Sequence, residues 1–162
     1  MSALTLPKIR PCLWFNFNAE EAVDFYVSVF KDAKVLKTSR YPDAIPNLAG
    51  KVLVMEFELA GQRLQALNAG PNFPFTEAIS LSVDCEDQAE VDRLWTTLTA
   101  DGGSEGQCGW LKDKFGLSWQ IVPRGMEALI SDPDPARSSR AMQAMMTMRK
   151  IDLAAIQRAA DA

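Results

Sequence analysis

The sequence contains no histidine, only three cysteines and no long apolar run. Imidazole is the commonest metal ligand and the usual general base near neutral pH, so its absence excludes Ser-His-Asp triads, zincin helices and His-carboxylate iron sites. Cys12, Cys85 and Cys108 are odd in number and far apart, without the C-x-x-C spacing of a zinc or thioredoxin-like site. They read as buried, reduced thiols, since a catalytic cysteine would need Lys, Arg or a helix N-terminus to hold its thiolate. Met1 to Arg10 lacks the apolar stretch of a signal peptide, and no later segment approaches the roughly 18 apolar residues of a membrane span. A cytoplasmic protein without membrane contact is expected. Basic charge is also in short supply: 17 Lys and Arg against 21 Asp and Glu, a net charge of -4, argues against a nucleic-acid partner. What remains is a chain of 162 residues, 48% hydrophobic, long enough to form one domain or two small halves without a disulfide or metal.

A repeated unit runs along the chain. Ile9 to Phe15 reads as a strand, with Pro11 suited to an edge or bulge. A helix follows, with Asn18 as its cap, Glu21 at the capping-box position, and Ala22, Phe25, Tyr26 and Val29 as its apolar stripe. The same pattern recurs 69 residues on, with Asp87 for Asn18, Glu90 for Glu21, and Val91, Leu94, Trp95 and Leu98 as the stripe. Its preceding strand is Ile79 to Asp84. Strands are expected after the first helix at 34–40, 52–59 and 62–68, with Ala60-Gly61 as a hairpin turn. After the second they are expected at 104–108, 110–113 and 117–122, with a turn at Asp113 to Gly116. The order is β-α-β-β-β, twice. One helix covers one face of each sheet and leaves the other for a groove or partner.

Beyond Val122 the pattern becomes helical. Asp134 and Pro135 start a helix carrying Ala141, Met142, Met145, Met146 and Met148 and closing on Arg149-Lys150, and Asp152 caps a last short one through Leu153 and Ile156. A methionine stripe is more often core than partner surface.

Alternation about the Ala60-Gly61 turn pairs Leu59 with Gln62, Glu58 with Arg63 and Glu56 with Gln65. Glu56, Glu58, Arg63, Gln65 and Leu67 then share one face, and Met55, Phe57 and Leu64 the other. Glu58 opposite Arg63 equally describes a solvated cross-strand ion pair. Trp110 and Trp119 can stack on a planar ligand or simply pack. Asn68 marks a tight strand exit and is expected to bond nearby backbone.

Several segments carry a family resemblance: Pro11-Cys-Leu-Trp-Phe15, Ala22-Val-Asp-Phe-Tyr26, Glu77 to Asp87, Cys108 to Asp113, Gly116-Leu-Ser-Trp-Gln-Ile-Val-Pro123 and Ser131-Asp-Pro-Asp-Pro135. Through them the chain resembles the vicinal oxygen chelate superfamily of glyoxalase, bleomycin-resistance and extradiol-dioxygenase proteins. The match looks like its PhnB-like branch, often labelled demethylubiquinone methyltransferase-like. The resemblance implies an α+β fold of two βαβββ units, about 8–70 and 77–123 within 1–123, forming a curved sheet of the glyoxalase/bleomycin-resistance type, with 124–162 as a helical extension. Metal-dependent members carry one ligand on the first and last strand of each half. Those places fall on Pro11, Gln65, Ala78 and Gln120, none of which ionises, so no metal and no cofactor are expected. Gly103, Gly106 and Gly109 lead into a strand rather than a helix, unlike a nucleotide-cradling loop.

The resemblance aims Gln65 into the groove. Ligand-binding candidates are accordingly Arg63, Gln65, Gln120, Ser80, Ser118 and Trp110, with Ser82 nearby. The expected function is metal-independent binding of an unidentified small molecule by a homodimer. A second reading is a metal-independent enzyme with Glu56 as general base. A third is an interaction protein that uses the methionine-bearing helix.

Overall fold

The computed structural model describes residues 7–162; Met1 to Leu6, part of the stretch read above for a signal sequence, lie outside the described residues. The chain divides after Pro74 into two compact units. The first contains strand β1 (Cys12–Phe15), helix α1 (Ala19–Val29) and strands β2 (Ala33–Arg40), β3 (Val52–Leu59) and β4 (Gln62–Asn68). Its sheet has the order β1-β4-β3-β2, with β1 parallel to β4 and the other pairs antiparallel. Pro11 stands just before β1, an edge strand, where its missing N–H costs nothing; its carbonyl accepts from Gln65 N at 2.9 Å.

The hairpin register is the expected one: Leu59 faces Gln62, Glu58 faces Arg63 and Glu56 faces Gln65. Ala60 (φ +45°) and Gly61 (φ +82°) are both left-handed, as a two-residue turn matching strand twist requires. Met55, Phe57, Leu59, Leu64 and Ala66 are buried, as are Leu13 and Phe15 of β1 and Ala22, Val23, Tyr26 and Val29 of α1. The Tyr26 ring stacks on Phe57 with centroids 6.4 Å apart.

The second unit repeats the plan with β5 (Ser80–Cys85), α2 (Gln88–Thr99), a single 3-10 turn at Ala100–Gly102, β6 (Ser104–Glu105), β7 (Trp110–Lys112) and β8 (Ser118–Pro123), in sheet order β5-β8-β7-β6. Val91, Leu94, Trp95 and Leu98 are buried, as are Leu111, Trp119 and Ile121 on the sheet. The strand expected over 104–108 stops at Glu105. Cys108 (φ +54°) and Gly109 (φ +84°) turn the chain, and their N–H groups donate to Met148 O and Arg149 O, each at 2.8 Å.

Three helices follow, α3 (Met126–Ile130), α4 (Pro135–Met146) and α5 (Leu153–Asp161). The first was not anticipated, and Met126 enters the apolar cluster formed with Ala141, Ile151, Ile156 and Ala160. Asp134 and Asp152 cap as expected, accepting from Ala136 N and Ala155 N at 2.9 Å. The methionine stripe is only partly core: Met145 and Met148 pack against the cluster, whereas Met142 and Met146 are exposed. Arg149 and Lys150 lie beyond the end of α4, pairing with Glu105 and Asp92 instead of the helix terminus. Among the described residues, no helix is long and apolar enough to cross a membrane.

The two helix starts differ. Asp87 caps α2, accepting from Glu90 N at 2.8 Å while Glu90 accepts from Glu86 N at 2.7 Å, a reciprocal arrangement of the capping-box kind. The Asn18 side chain makes no cap hydrogen bond. Asn68 at the end of β4 does that work, accepting from Ala19 N at 2.9 Å and donating to Val52 O at 3.1 Å while 3% exposed. The cause is one extra residue: two residues separate Phe15 from Asn18, but one separates Cys85 from Asp87, and Phe17 takes φ +59°. Asn68→Ala would leave a buried donor and acceptor unpaired, each worth about 1–3 kcal/mol, so a loss of about 2–6 kcal/mol in urea unfolding is expected. Asn18→Ala should cost less than about 0.5 kcal/mol, the bottom of the range for true caps.

Candidate functional site

Alternation gives each sheet a second face, turned away from its helix. On the first unit this face carries Trp14, Glu56, Glu58, Arg63, Gln65 and Leu67, all partly exposed. Its charges are matched within the unit. Arg10 donates to Glu56 at 3.3 Å, and Glu58 lies 3.4 Å from Arg63 and 3.5 Å from Lys34. The cross-strand ion pair foreseen for Glu58 and Arg63 is therefore formed. The Glu56 side chain is 26% exposed, so water reaches the carboxylate. Trp14 donates to Gly70 O at 2.8 Å and meets Phe73 edge-on at 4.8 Å.

On the second unit the corresponding face carries Ser80, Ser82, Trp110, Lys112, Ser118 and Gln120. Gln120 Nε2 donates to Ser80 Oγ at 2.9 Å. Ser118 and Trp110 line a cavity of about 260 Å³ together with Ser104, Glu105, Lys112 and Glu77. Ser118 is 1% exposed, and its Oγ has no hydrogen-bond partner. Lys112 Nζ is bonded to Glu77, and this ammonium holds the Glu77 carboxyl below its ordinary range. Glu105 accepts from Trp95 Nε1 at 2.8 Å and lies 3.6 Å from Arg149.

Trp119 does not face a ligand. It is 1% exposed in the core, donating to Asp113 Oδ2 at 2.9 Å. Asp113 is itself 2% exposed and also accepts from Phe115 N at 2.9 Å and Leu117 N at 3.1 Å, so a buried carboxylate fixes the turn that delivers Ser118. The sequence marked the turn but not this role. Arg10, Glu77, Glu105 and Lys112 were also missed as parts of the two faces. For Lys112 the signal was available, since it alternates with Trp110 along β7.

Of the four places inherited from metal-dependent relatives, Pro11 and Gln65 are neighbours in the first unit, where Pro11 O accepts from Gln65 N at 2.9 Å. Gln65 is registered with Cys12, and Gln120 with Ser82. Pro11 and Ala78 lie outside β1 and β5. Among the described residues, no group of three or more His, Cys, Asp and Glu is placed to hold a metal ion. Gly103, Gly106 and Gly109 answer to packing: a Cβ would fall 2.6 Å from Leu98 O, 2.7 Å from Trp110 O and 2.9 Å from Ile121 O respectively.

Two βαβββ units with helix-covered inner faces and polar outer faces define a protein of the vicinal oxygen chelate class. A family model described as 3-demethylubiquinone-9 3-methyltransferase matches residues 7–122, and the chain belongs to this PhnB-like family. Among solved structures, it is similar to a putative 3-demethylubiquinone-9 3-methyltransferase, PhnB protein, from Bacillus cereus, with 35% identity over 72% of this chain and 99% of that one and a TM-score of 0.66. A protein from Pseudomonas aeruginosa is 24% identical over 73% of this chain and 98% of that one, with a TM-score of 0.59. The fosfomycin resistance protein FosX from Listeria monocytogenes, complexed with Mn(II) and sulfate, shares the fold at 14% identity over 78% of this chain and 96% of that one, with a TM-score of 0.53. No curated protein matches the chain.

Only one of the three cysteines is buried as expected. Cys85 faces the core at the end of β5, Cys12 is exposed on the alternate side of β1, and Cys108 is half-buried in its left-handed turn. Burial, and then the Glu90 and Asp84 carboxylates, push the Cys85 thiol up to about 12, and burial raises Cys12 too. Because only the thiolate attacks, iodoacetamide at pH 8 should leave Cys85 unmodified in the native protein, while all three cysteines react in denaturant. Peptide mapping by mass spectrometry reads the difference.

Proposed function

We propose that this protein binds a small, partly aromatic molecule on the outer faces of its sheets and does so without a divalent metal. The observation that carries the reading is the pair of carboxamides, Gln65 and Gln120, on those faces: a neutral amide donates and accepts, but is a poor ligand for zinc, nickel or iron. Arg63 and Gln65 would serve from the first unit, and Ser80, Ser118, Trp110 and Gln120 from the second. The uncovered faces favour a homodimer, with residues 1–123 holding the ligand and 124–162 as a helical support. A cytoplasmic setting without nucleic-acid or membrane partners accords with the acidic composition.

The alternative, an enzyme with Glu56 as general base, has less support. Arg10 already engages that carboxylate, and taking a proton there means giving up a charge-assisted hydrogen bond. The methyltransferase description of the family gains nothing from the three glycines, whose close approaches to backbone carbonyls leave no phosphate cradle.

Elemental analysis of protein purified without a tag should find no stoichiometric zinc, nickel, iron or manganese. One tightly held equivalent, lost on Gln65→Ala, would overturn the metal-free reading. In a small-molecule thermal-shift screen, Gln120→Leu should weaken hits by about 0.5–1.5 kcal/mol, and Arg63→Ala should weaken anionic hits by about 1.5–3 kcal/mol. Hits that stabilise wild type and both variants equally would place binding elsewhere.

A further inference from the structure

Charged groups around the cavity beside β7 and β8 are all matched, and one buried polar group is not. Lys112 is bonded to Glu77, and Glu105 has Trp95 Nε1 and Arg149. Ser118 Oγ stands alone, shielded from solvent, and its register neighbour Ser80 is already engaged by Gln120. A buried hydroxyl without a partner is a cost that evolution seldom leaves uncompensated. An ionised ligand would meet no free opposite charge here; it would have to part Lys112 from Glu77, or be desolvated unpaired. A neutral hydroxyl or carbonyl meets the vacant buried hydrogen-bonding group, because serine both donates and accepts. The volume of about 260 Å³ lies below the roughly 300–1,000 Å³ of pockets for drug-sized ligands, so a single ring is the appropriate scale. Trp110 supplies a planar wall for it.

We infer that this cavity takes a neutral ring bearing one hydroxyl or carbonyl oxygen, with that oxygen hydrogen-bonded to Ser118 Oγ and the ring against Trp110. This rests on the small-molecule-binding reading above and narrows it to a chemical class and to one side chain.

The test uses the full chain with nitrogen-15-labelled tryptophan indoles and three probes on the same ring: 4-methylphenol, 4-methylbenzoate and 4-methylbenzylamine. The indole signal assigned to Trp110 by Trp110→Phe should shift saturably with 4-methylphenol, and the two ions should bind at least about tenfold more weakly. Ser118→Ala should weaken 4-methylphenol by roughly 2- to 12-fold, the range expected for losing a neutral hydrogen bond. The same substitution should raise the melting temperature of the ligand-free protein by about 2–4 °C, since it deletes an unpaired buried group. A fall in melting temperature would mean that the Ser118 hydroxyl is partnered in the folded protein and would overturn the inference. Unchanged affinity for 4-methylphenol in Ser118→Ala would do the same. An ion that shifts Trp110 as well as 4-methylphenol does, and loses affinity in Gln120→Leu, would leave the binding face standing and remove only the neutral class. If no probe shifts Trp110 at millimolar concentration, the inference and the assignment of this face to ligand binding fall together.

Discussion

A single helix can cover only one face of a four-stranded sheet, and the arrangement of each unit follows from that constraint. The face under α1 is packed with Phe57, Leu64 and Ala66, and the face under α2 with Leu111, Trp119 and Ile121. Because strand side chains alternate, fixing those residues inward forces Glu56, Arg63 and Gln65, or Lys112, Ser118 and Gln120, outward. A slip of one residue would exchange the two sets and bury the charges, so the hydrophobic pattern itself locks the register of the polar face. The outer faces are thus consequences of packing before they are sites, and their chemistry is decided by which polar side chains find partners there.

On the first unit the partners are charges and on the second they are mostly neutral. Arg10 with Glu56, and Lys34 and Arg63 with Glu58, tie the outer face of β3 and β4 into ion pairs that are only partly shielded from water. Such pairs contribute little to stability at their exposure, but they fix the orientation of long side chains. The second unit has Ser80 and Gln120 in one hydrogen bond, Ser118 unpaired and buried, and the ion pairs of Lys112 with Glu77 and of Glu105 with Arg149 at its more exposed margin. The two halves of the repeat share a backbone plan and have diverged in the electrostatics of the corresponding faces.

How much of this was legible depends on how local each determinant is. The Ala60-Gly61 hairpin was read to the residue because a two-residue left-handed turn fixes register by itself. The helix stripes were legible for the same reason of short range. The parallel pairing of β1 with β4 was not, since its two strands are far apart in sequence, and with it went Arg10 beside Glu56 and the register of Gln65 with Cys12. A constant spacing of 69 residues held for the helices but not for the strands: one residue is added at the first strand-to-helix junction, and β6 to β8 are shorter than β2 to β4. Asn68 replaced Asn18 as the cap through a contact 49 residues away in sequence, which no local capping pattern encodes. Trp119 and Ser118 are adjacent, so one is core and the other faces outward; which is which turns on the bond from Trp119 to buried Asp113.

The helices after β8 lie past the end of the family match, yet they are built into the second unit. Gln88 at the first turn of α2 donates to Ile151 O at 2.8 Å and accepts from Leu153 N at 3.1 Å, so one side chain holds the start of α5 from both sides of its cap. The segment just before it lends the Met148 and Arg149 carbonyls to the N–H groups of Cys108 and Gly109, which β6 and β7 leave unused. Ile151 packs so closely on Gly109 that a Cβ there would come within 3.2 Å of its side chain. Arg149 then reaches Glu105, whose other oxygen holds Trp95 of α2 and which also walls the cavity beside Trp110. The extension and the cavity therefore share a wall. Backbone bonds that would otherwise end at a ragged turn are satisfied by the extension, and the turn they stabilise sets the distance between Glu105 and Trp110 across which a ligand would have to fit.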